Sequence, residues 1–437
     1  MTDRKARRFD FDRHTPDYRH DFADIATEMQ DRCPVAWSET YDGHFVAAGH
    51  REAFEIARAA EYVSNEYRPD KGRLGILIPG PAIRSGAGFL EMDPPRQRHY
   101  RQALNPYLSP AAVARWVPVV DEVVRACLDE KIESGRIDFV DDLANIVPAV
   151  MTMGLLGAPL STYEMYVEPT HASVYLRPDS PEMTRVRRQQ QEMNTEMVTR
   201  LHAVKTDGGP PGLIHALVNA TVDGHEPSDK ELIGVIALII GGGFDTTTAL
   251  TSHAIEWLGE HPSERIRLSA HRDSLLDSAT EEFLRFYTPA PGDGRTITGP
   301  CEIAGQRFEE GDRVWVSWAM ANRDATVFEN PHEIDLARTG NRHLGFGIGL
   351  HRCIGSNVAR VVFKRMLLGV LDRMPDYVCD SGGAVHYDTI GVINGMKNLP
   401  ATFTPGRPLG PGLAETLQAL QARIDAEGIA EPVVRGA

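Results

Sequence analysis

The chain has 437 residues, 42% of them hydrophobic and 24% charged, which is typical of a folded globular protein and argues against disorder along the whole length. Acidic residues outnumber basic ones by 61 to 46, and the resulting net charge of −15 disfavours nucleic acid and anionic membranes as partners. The first residues lack the apolar core of a signal peptide, and the longest apolar run, residues 232–244, is shorter than the roughly twenty residues of a spanning helix. We therefore expect a soluble, cytoplasmic protein.

The N-terminal part of the sequence predicts a mixture of strands and helix. Residues 34–48 fit two short strands around Asp42-Gly43, a dipeptide that is favoured in hairpin turns. Residues 51–59 have helical spacing. Residues 65–92 are rich in glycine and proline, so we predict a long loop, and loops of that length in compact domains are usually functional or mobile.

The middle of the chain, from Pro110 to about residue 285, is mostly helical in pattern. Pro118 lies inside an apolar stripe and predicts a kink or a helix boundary, and the glycine–proline run 208–212 predicts a break between helices. Short strand-like segments return late, at 295–298, 302–304, 313–318 and within 389–400. Because no βαβ alternation and no internal repeat are present, we predict a mainly α fold with small antiparallel β-sheets.

The end of the chain contains one more amphipathic segment. After a Pro/Gly-rich stretch, Leu413, Leu417, Leu420 and Ile424 form one stripe at helical spacing. We expect a surface helix that packs on the rest of the protein, with an oligomer contact as the alternative. Residues 1–407 are predicted to form one domain and residues 408–437 a C-terminal extension.

The five cysteines are scattered and form no CxxC pair, which argues against a disulfide framework or a structural zinc cluster. One of them, Cys353, lies in the segment Phe346-Gly-Ile-Gly-Leu-His-Arg-Cys-Ile-Gly355, just before the predicted helix 356–373. Glycines permit a tight turn and the close approach of a flat ligand. A cysteine at the start of a helix favours the thiolate, which is a natural metal ligand, whereas a lone cysteine is by default buried and inert.

This ten-residue segment is similar to the haem-ligand loop of the cytochrome P450 superfamily, with every fixed position present. The resemblance implies a P450 fold, a haem b cofactor and Cys353 as the axial ligand of the haem iron. Phe346, Gly347, His351 and Gly355 take the other fixed positions of the cofactor-binding loop.

A second resemblance lies in Gly242-Gly-Phe-Asp-Thr-Thr, within the apolar segment 232–258. Glycines in the middle of a helix lower its stability, and an acid in an apolar segment is costly to bury without a hydrogen-bonding partner. The segment resembles the distal helix of P450s, where glycine leaves room for dioxygen and an acid–alcohol pair handles protons. Gly242, Asp245 and Thr246 occupy those positions, and the Thr246 hydroxyl is expected to bond back to a carbonyl near Gly242.

Glu282-Phe-Leu-Arg285 resembles the structural Glu-x-x-Arg pair of the same family, in which a later arginine completes the network. Arg338 is the candidate for this later arginine. Its segment departs from the family pattern, because Ile334 replaces the usual Phe and Leu336 the usual Pro. By the same resemblance, Arg101, Arg295, His351 and Gln97 are expected at the haem edge, where cations neutralise the propionates. Gln97 stands where histidine is more usual.

The resemblance covers about residues 15–405 and implies a haem-thiolate monooxygenase that hydroxylates a hydrophobic small molecule such as a terpenoid, steroid, fatty acid or polyketide. Since nearly the whole length matches the P450 body, electrons are expected from a separate ferredoxin or flavoprotein. Two alternatives stay open. One is a peroxide-driven or diverted enzyme, such as a peroxygenase or dehydratase, and the other is a non-catalytic haem protein that senses or carries a diatomic ligand.

Basic residues near the cysteine loop depart from the acidic balance of the chain. Arg352 lies in the loop, and Arg360 and Lys364 lie four apart on the helix that follows. A local basic patch of this kind would steer an acidic ferredoxin electrostatically. We therefore predict the ferredoxin-docking face at these three residues, with ordinary solvated helix faces as the alternative.

Overall fold

The computed structural model describes residues 4–80, 86–177 and 179–433. It divides into two compact units, each built from separated stretches of the chain. The first unit comprises residues 1–97, 273–353 and 388–394, and the second comprises residues 98–272, 354–387 and 395–437. The division does not test the predicted haem domain at 1–407, which stays a prediction.

Helices dominate the structure, as the sequence predicts. In chain order they are α1 Pro16–His20, α2 Phe22–Arg32, α3 His50–Arg58, α4 Arg96–Leu108, α5 Pro110–Ala114, α6 Val117–Ile132, α7 Ile146–Leu156, α8 Tyr163–Tyr175, α9 Pro181–Asp207, α10 Leu213–Val218, α11 Asp229–Gly243, α12 Asp245–Glu260, α13 Pro262–Ala270, α14 Arg272–Tyr287, α15 Trp318–Ala321, α16 Ser356–Arg373 and α17 Leu413–Glu427. The predicted boundary at Pro118 and the predicted break at 208–212 are confirmed, since α6 begins at Val117 and Gly208 ends α9 in a left-handed conformation.

The strands are short. In chain order they are β1 Val35–Ser38, β2 His44–Ala47, β3 Val63–Ser64, β4 Tyr67–Arg68, β5 Arg73–Leu74, β6 Arg136–Asp138, β7 Gly292–Ile297, β8 Cys301–Ile303, β9 Gln306–Phe308, β10 Arg313–Ser317, β11 Val378–Cys379, β12 Val385–His386, β13 Met396–Asn398 and β14 Pro400–Thr402. The predicted loop at 65–92 contains β4, β5 and two single helical turns, and its residues 81–85 lie outside the described residues.

The main sheet belongs to the first unit and has the order β1-β2-β10-β7-β3. The predicted hairpin at Asp42-Gly43 is confirmed, because β1 and β2 pair antiparallel and the turn residues have positive φ. One prediction needs correction, since β10 pairs with β2 in parallel and the sheet is mixed. The two strands come from distant parts of the chain, so no hairpin imposes an antiparallel pairing on them.

The sheet of the first unit is covered by an apolar core. Val35 and Phe45 from the sheet pack with Ile56 of α3, and Val314 and Trp318 extend the same cluster. Burial of these side chains is the main force that holds the unit together, at roughly 1.5–3 kcal/mol for each fully buried large aliphatic or aromatic side chain. The cluster fixes α3 and the segment that follows β10.

The second unit is helical, with three-stranded (β11-β14-β6) and two-stranded (β12-β13) antiparallel sheets. Helix α7 is buried from Val147 to Leu156 and contacts α6, α8, α11 and α16. The C-terminal helix α17 packs on α6 and buries Leu417, Leu420 and Ile424. The predicted packing of a surface helix on the protein is therefore confirmed.

Helices α11 and α12 form one long apolar segment that is broken at Phe244. By length and composition alone, Asp229–Glu260 is long and apolar enough to cross a membrane. The apolar run 232–244 identified in the sequence is shorter than this helical segment. Half of its most apolar window is buried inside the protein. Core helices of soluble proteins pass the same test, so the segment is weak evidence for a membrane span.

Candidate active site

The cysteine loop is held in shape by its own backbone. The N–H of Cys353 donates to the carbonyl of Phe346 over 2.8 Å. Gly347 and Gly349 have φ of 63° and 75°, and a Cβ at Gly349 would come within 2.9 Å of the Ala57 carbonyl oxygen. Only glycine fits that position without strain or clash.

The loop leaves one thiol accessible. All five cysteines lie within the described residues, and Cys353 is exposed, whereas Cys33 and Cys127 are buried and Cys301 and Cys379 are half-buried. Burial raises the pKa of the Cys379 thiol to about 12 and also raises the pKa of Cys127. A metal needs an accessible thiolate, so the exposure of Cys353 favours it as a ligand, and the raised pKa values of Cys127 and Cys379 disfavour those two thiols.

Gln97 supports the same loop. Its buried amide donates from Nε2 to the Leu350 carbonyl over 2.6 Å. Its Oε1 is buried and accepts no hydrogen bond from any described residue. Gln97 thus positions the cysteine loop, a role that its sequence position did not predict.

Arg295 and His351 also lie in the first unit. Arg295, on β7, is 2% exposed, and its Nη2 lies 3.6 Å from an Asp293 oxygen. Burial lowers the pKa of the Arg295 guanidinium, and the Asp293 carboxylate opposes that shift. His351 is half-buried in the single turn Gly349–His351.

A buried network in the first unit stabilises α14. Arg285 donates to both oxygens of Glu282, over 2.8 and 2.7 Å, and the two residues are fully buried. Arg338 donates from Nε to Glu282 over 3.0 Å, so it is the third member of the network despite the unusual neighbours Ile334 and Leu336. Burial alone would raise the pKa of Glu282, but the bonds and charge of Arg285, together with the Asp335 N–H and the charge of Arg338, outweigh it and the pKa is lowered.

The second unit carries the Gly242 segment. The Thr246 hydroxyl donates to the Gly242 carbonyl over 2.9 Å, as the sequence predicts. Phe244 leaves the regular helical conformation, with φ −90° and ψ −78°, and α12 starts at the next residue. Gly243 is required here for another reason, because its Cβ would lie 2.6 Å from the Thr152 hydroxyl of α7.

Asp245 is buried and does not face solvent. Its carboxylate receives a hydrogen bond from the Tyr387 hydroxyl over 3.0 Å and pairs with His171 Nδ1 over 2.6 Å. Burial and the Asp245 charge raise the pKa of the Tyr387 hydroxyl. The Nε2 atom of His171 is buried and makes no hydrogen bond within the described part of the chain. Sequence reasoning missed both partners, because nothing near His171 or Tyr387 in the chain marks them.

The remaining predicted residues, apart from Arg352, are in the second unit. Arg101 is half-buried on α4, and Gly355 is the residue that precedes α16. Arg360 and Lys364 are half-buried on α16, whereas Arg352 is exposed in the loop of the first unit. The structure thus places Phe346 and Cys353 in one loop, which Gln97 of α4 supports, and it places Gly242, Asp245 and Thr246 together at one helix break.

Comparison with known proteins decides the family. A family model for cytochrome P450 matches residues 165–374. Vitamin D3 dihydroxylase of Streptomyces griseolus is 32% identical over 297 residues, 67% of this chain and 72% of that protein. The chain belongs to the cytochrome P450 family. It is therefore a haem-dependent oxidoreductase of the monooxygenase class.

Other P450s match over most of their length. Linalool 8-monooxygenase of Pseudomonas putida is 28% identical over 399 residues, 87% of this chain and 95% of that protein. The structure of a Mycobacterium marinum cytochrome P450 in complex with pseudoionone has a TM-score of 0.80 at 25% identity, and covers 88% of this chain and 95% of that one. The P450 fold predicted from the cysteine loop is thus confirmed.

The residues of this P450 fit a haem. Helix α11 is apolar, yet Ala237, Gly241 and Gly242 are exposed, and a Cβ at either glycine would meet no atom within 4 Å. A bare apolar helix surface suits the face of a flat macrocycle. The accessible thiol of Cys353 and the buried charge of Arg295 suit the iron and a propionate.

Proposed function

We propose that this cytochrome P450 hydroxylates a hydrophobic small molecule, inserting one oxygen atom from dioxygen with electrons from a separate ferredoxin and reductase. The observation that carries the proposal is the Asp245–Thr246 pair at the break in the distal helix. An acid and a hydroxyl placed side by side in an apolar helix serve proton delivery, which oxygen activation requires. A peroxide-driven enzyme or a passive haem sensor has less need of such a pair.

The proposed cofactor is haem b, with the Cys353 thiolate as axial iron ligand. A thiolate ligand pushes electron density to the haem iron and favours cleavage of the O–O bond. Phe346, Gly347 and Gly355 shape the loop that presents Cys353. Arg101, Arg295, His351 and Gln97 bind the propionate edge, and the burial of Arg295 strengthens its attraction for a carboxylate.

Asp245 and Thr246 have separate tasks in this proposal. The Thr246 hydroxyl donates its hydrogen bond to the Gly242 carbonyl, so its oxygen remains available to accept a hydrogen bond from a water molecule. The Asp245 carboxylate pairs with His171 Nδ1 over 2.6 Å. In this proposal His171 is the proton partner of Asp245, and Tyr387 keeps the carboxylate in place by donating to it over 3.0 Å.

The substrate class follows from the relatives and from the apolar lining of the distal helix. The relatives are named for linalool and vitamin D3, and one solved neighbour is bound to pseudoionone. The family resemblance places substrate contacts in the loop before Asp93 and in residues 165–205, 238–246, 289–294 and 390–396. We therefore propose an apolar terpenoid, steroid or similar guest.

The proposed electron donor is an acidic ferredoxin that docks at Arg352, Arg360 and Lys364, in the cytoplasm. Arg360 and Lys364 lie four apart on α16 and so share one face of that helix. Arg352 is exposed in the cysteine loop. It directly precedes Cys353, the proposed ligand of the iron that receives the electrons.

The experiment is a spectral screen followed by turnover. The purified haem protein is titrated with a lipophilic library that includes linalool, vitamin D3 and pseudoionone, and binders are scored by the shift of the haem absorption band. Each binder is then incubated with ferredoxin, reductase and ¹⁸O₂. We expect a product that carries one ¹⁸O atom. Product formed only with added peroxide, or dioxygen binding without any product, would contradict the proposal.

A further inference from the structure

Two histidines and one glutamate meet in the second unit, among residues that the proposed function does not use. His253 and Glu256 belong to α12 and His386 to β12. Nε2 of His386 lies 2.8 Å from one Glu256 oxygen, and Nδ1 of His253 lies 3.6 Å from the other. One ligand atom from each of the three residues lies within 4.8 Å of the other two.

Local structure explains why the three side chains converge. His253 and Glu256 are three residues apart on a helix, so they share one face. His386 comes from β12, whose pairing with β13 shifts register between Val385 and His386. Such irregularities re-aim a side chain. The rings of His253 and His386 lie 5.3 Å apart and are tilted by 34°.

The three ligand atoms lie near enough to one another to surround one ion. Nitrogen and oxygen ligands at about 2.0–2.2 Å from a tetrahedral zinc lie roughly 3.3–3.6 Å from one another. The 3.6 Å contact of His253 lies at the end of this range, whereas the 2.8 Å contact of His386 is a hydrogen bond that must lengthen by roughly 0.5 Å when an ion binds. Small rotamer adjustments would therefore place all three ligand atoms at bonding distance from one ion.

We propose that His253, Glu256 and His386 bind one divalent transition-metal ion, with zinc as the physiological class and nickel or copper as substitutes. Two imidazoles and one carboxylate favour these ions, whereas magnesium and calcium require oxygen ligands. The ion enters from the side of His386, whose side chain is 33% exposed, while that of His253 is only 2% exposed. Water completes the coordination, as at other three-ligand zinc sites.

The bound ion would tie the C-terminal half of α12 to β12. Helix α12 begins with Asp245 and Thr246, so the ion would restrain the element that carries the proposed proton-handling pair. The site is distinct from the haem ligands, and its occupancy is independent of whether the enzyme hydroxylates anything.

The test is equilibrium dialysis of the full-length, haem-loaded protein, freed of other metals with EDTA, against buffered zinc chloride. Bound zinc is counted by mass spectrometry against haem, and the thermal unfolding midpoint is measured with and without zinc. We expect one zinc per chain and a raised midpoint. Magnesium and calcium chloride at the same concentration should not compete, whereas nickel chloride should.

Variants separate this site from other histidines. His386→Phe keeps an aromatic ring on an accessible strand and should weaken zinc binding by about tenfold or more, since even residues behind metal ligands contribute 10–100-fold. Glu256→Gln should do the same. His261 is the matched control, because it is exposed at the end of the same helix and stacks on Trp257, and His261→Phe should bind zinc normally. Equal zinc binding by the original protein and His386→Phe, or binding by neither, would overturn the proposal and leave a hydrogen bond between His386 and Glu256 with His253 beside it.

Discussion

Burial separates Cys353 from the other four cysteines. Burial raises the thiol pKa of Cys33, Cys127, Cys301 and Cys379. These four thiols therefore stay protonated near neutral pH, whereas Cys353 is exposed in a loop built by glycines.

We predict that Cys353→Ser abolishes the red-shifted Soret band of the reduced, carbon monoxide-bound protein, because serine offers no thiolate to the haem iron. The measurement is the carbon monoxide difference spectrum. Cys301→Ser, at a half-buried position on β8, is the control and should keep the band. A band that survives Cys353→Ser and disappears in the control would show that the ligand was assigned to the wrong residue.

Thr246 bonds to the Gly242 carbonyl, whereas Asp245 is held by His171 and Tyr387. We therefore expect different catalytic defects when each residue is replaced. We expect Thr246→Ala to keep haem and substrate but to divert reducing equivalents to hydrogen peroxide, since the variant lacks the hydroxyl that we propose for proton handling. We expect Asp245→Asn to slow turnover by about 10²-fold or more, the usual range for a general acid–base group. Peroxide and product are measured per reduced pyridine nucleotide consumed.

Thr251 offers a matched control for Thr246. Its hydroxyl bonds back to the Thr247 carbonyl over 2.8 Å, the same geometry a little further along α12. Thr251→Ala should leave coupling unchanged. If Thr246→Ala is as well coupled as the control, the peroxygenase and dehydratase alternatives gain support.

At the scale of elements, the Glu282–Arg285–Arg338 network links α14 to the segment after Pro331. The charged side chains of this network are buried or nearly so. Arg285 also donates to the carbonyls of Asn322 and Pro331. A buried pair of this kind fixes the arrangement of chain segments more than it adds free energy, but removing one partner leaves a buried charge unmatched.

We predict that Glu282→Gln lowers the free energy of unfolding by about 3–5 kcal/mol at neutral pH, the usual cost of breaking a buried ion pair. The folded-state pKa of Glu282 is lowered. The stability it contributes is therefore present above the unfolded-state pKa of about 4.3, and it is lost as the pH falls through the folded-state value. Denaturant unfolding at a series of pH values from neutral to acid measures this effect. The free energy of unfolding should fall more steeply with decreasing pH in the original protein than in Glu282→Gln.

The control for this measurement is the exposed pair of Glu302 with Arg307 in the β8–β9 hairpin. Glu302→Gln should change the free energy of unfolding by no more than about 0.5 kcal/mol, as is usual for surface positions. A similar small effect for Glu282→Gln would mean that the network does not stabilise the folded state.

At the scale of the whole molecule, net charge predicts the salt dependence of electron transfer. A protein of net charge −15 repels an acidic ferredoxin except at a local basic surface. We expect ferredoxin-dependent reduction to slow as salt shortens the screening length to about 8–10 Å, and we expect Lys364→Glu or Arg352→Glu to lower the rate and flatten its salt dependence. Stopped-flow reduction at several salt concentrations measures both effects.

Substrate affinity should not change in these variants. Arg423→Glu on α17 is the control, because it reverses a charge on a different helix that already pairs with Glu427. Reduction that is insensitive to salt and to both reversals, or equally sensitive to the control, would place the docking face elsewhere.

Features that depend on near neighbours in the chain were predictable. The helix 356–373, the hairpin at Asp42-Gly43 and the bond from Thr246 to Gly242 all follow from spacing and local conformational preference, and all are present. The cysteine loop resembled that of the family because its glycines and its cysteine all lie within ten consecutive residues, so the whole pattern can be recognised in the sequence.

Tertiary structure decided what depends on distant partners. Asp245 meets His171 and Tyr387 across 74 and 142 residues of chain, and His386 reaches Glu256 across 130. The parallel pairing of β2 with β10 and the approach of Thr152 to Gly243 are of the same kind. Loop-closure entropy rises only slowly with chain length, so packing of the apolar core can select contacts at almost any separation. The sequence by itself thus determined the cofactor loop and the acid–alcohol pair, and only the fold determined which groups hold the acid and which histidines meet Glu256.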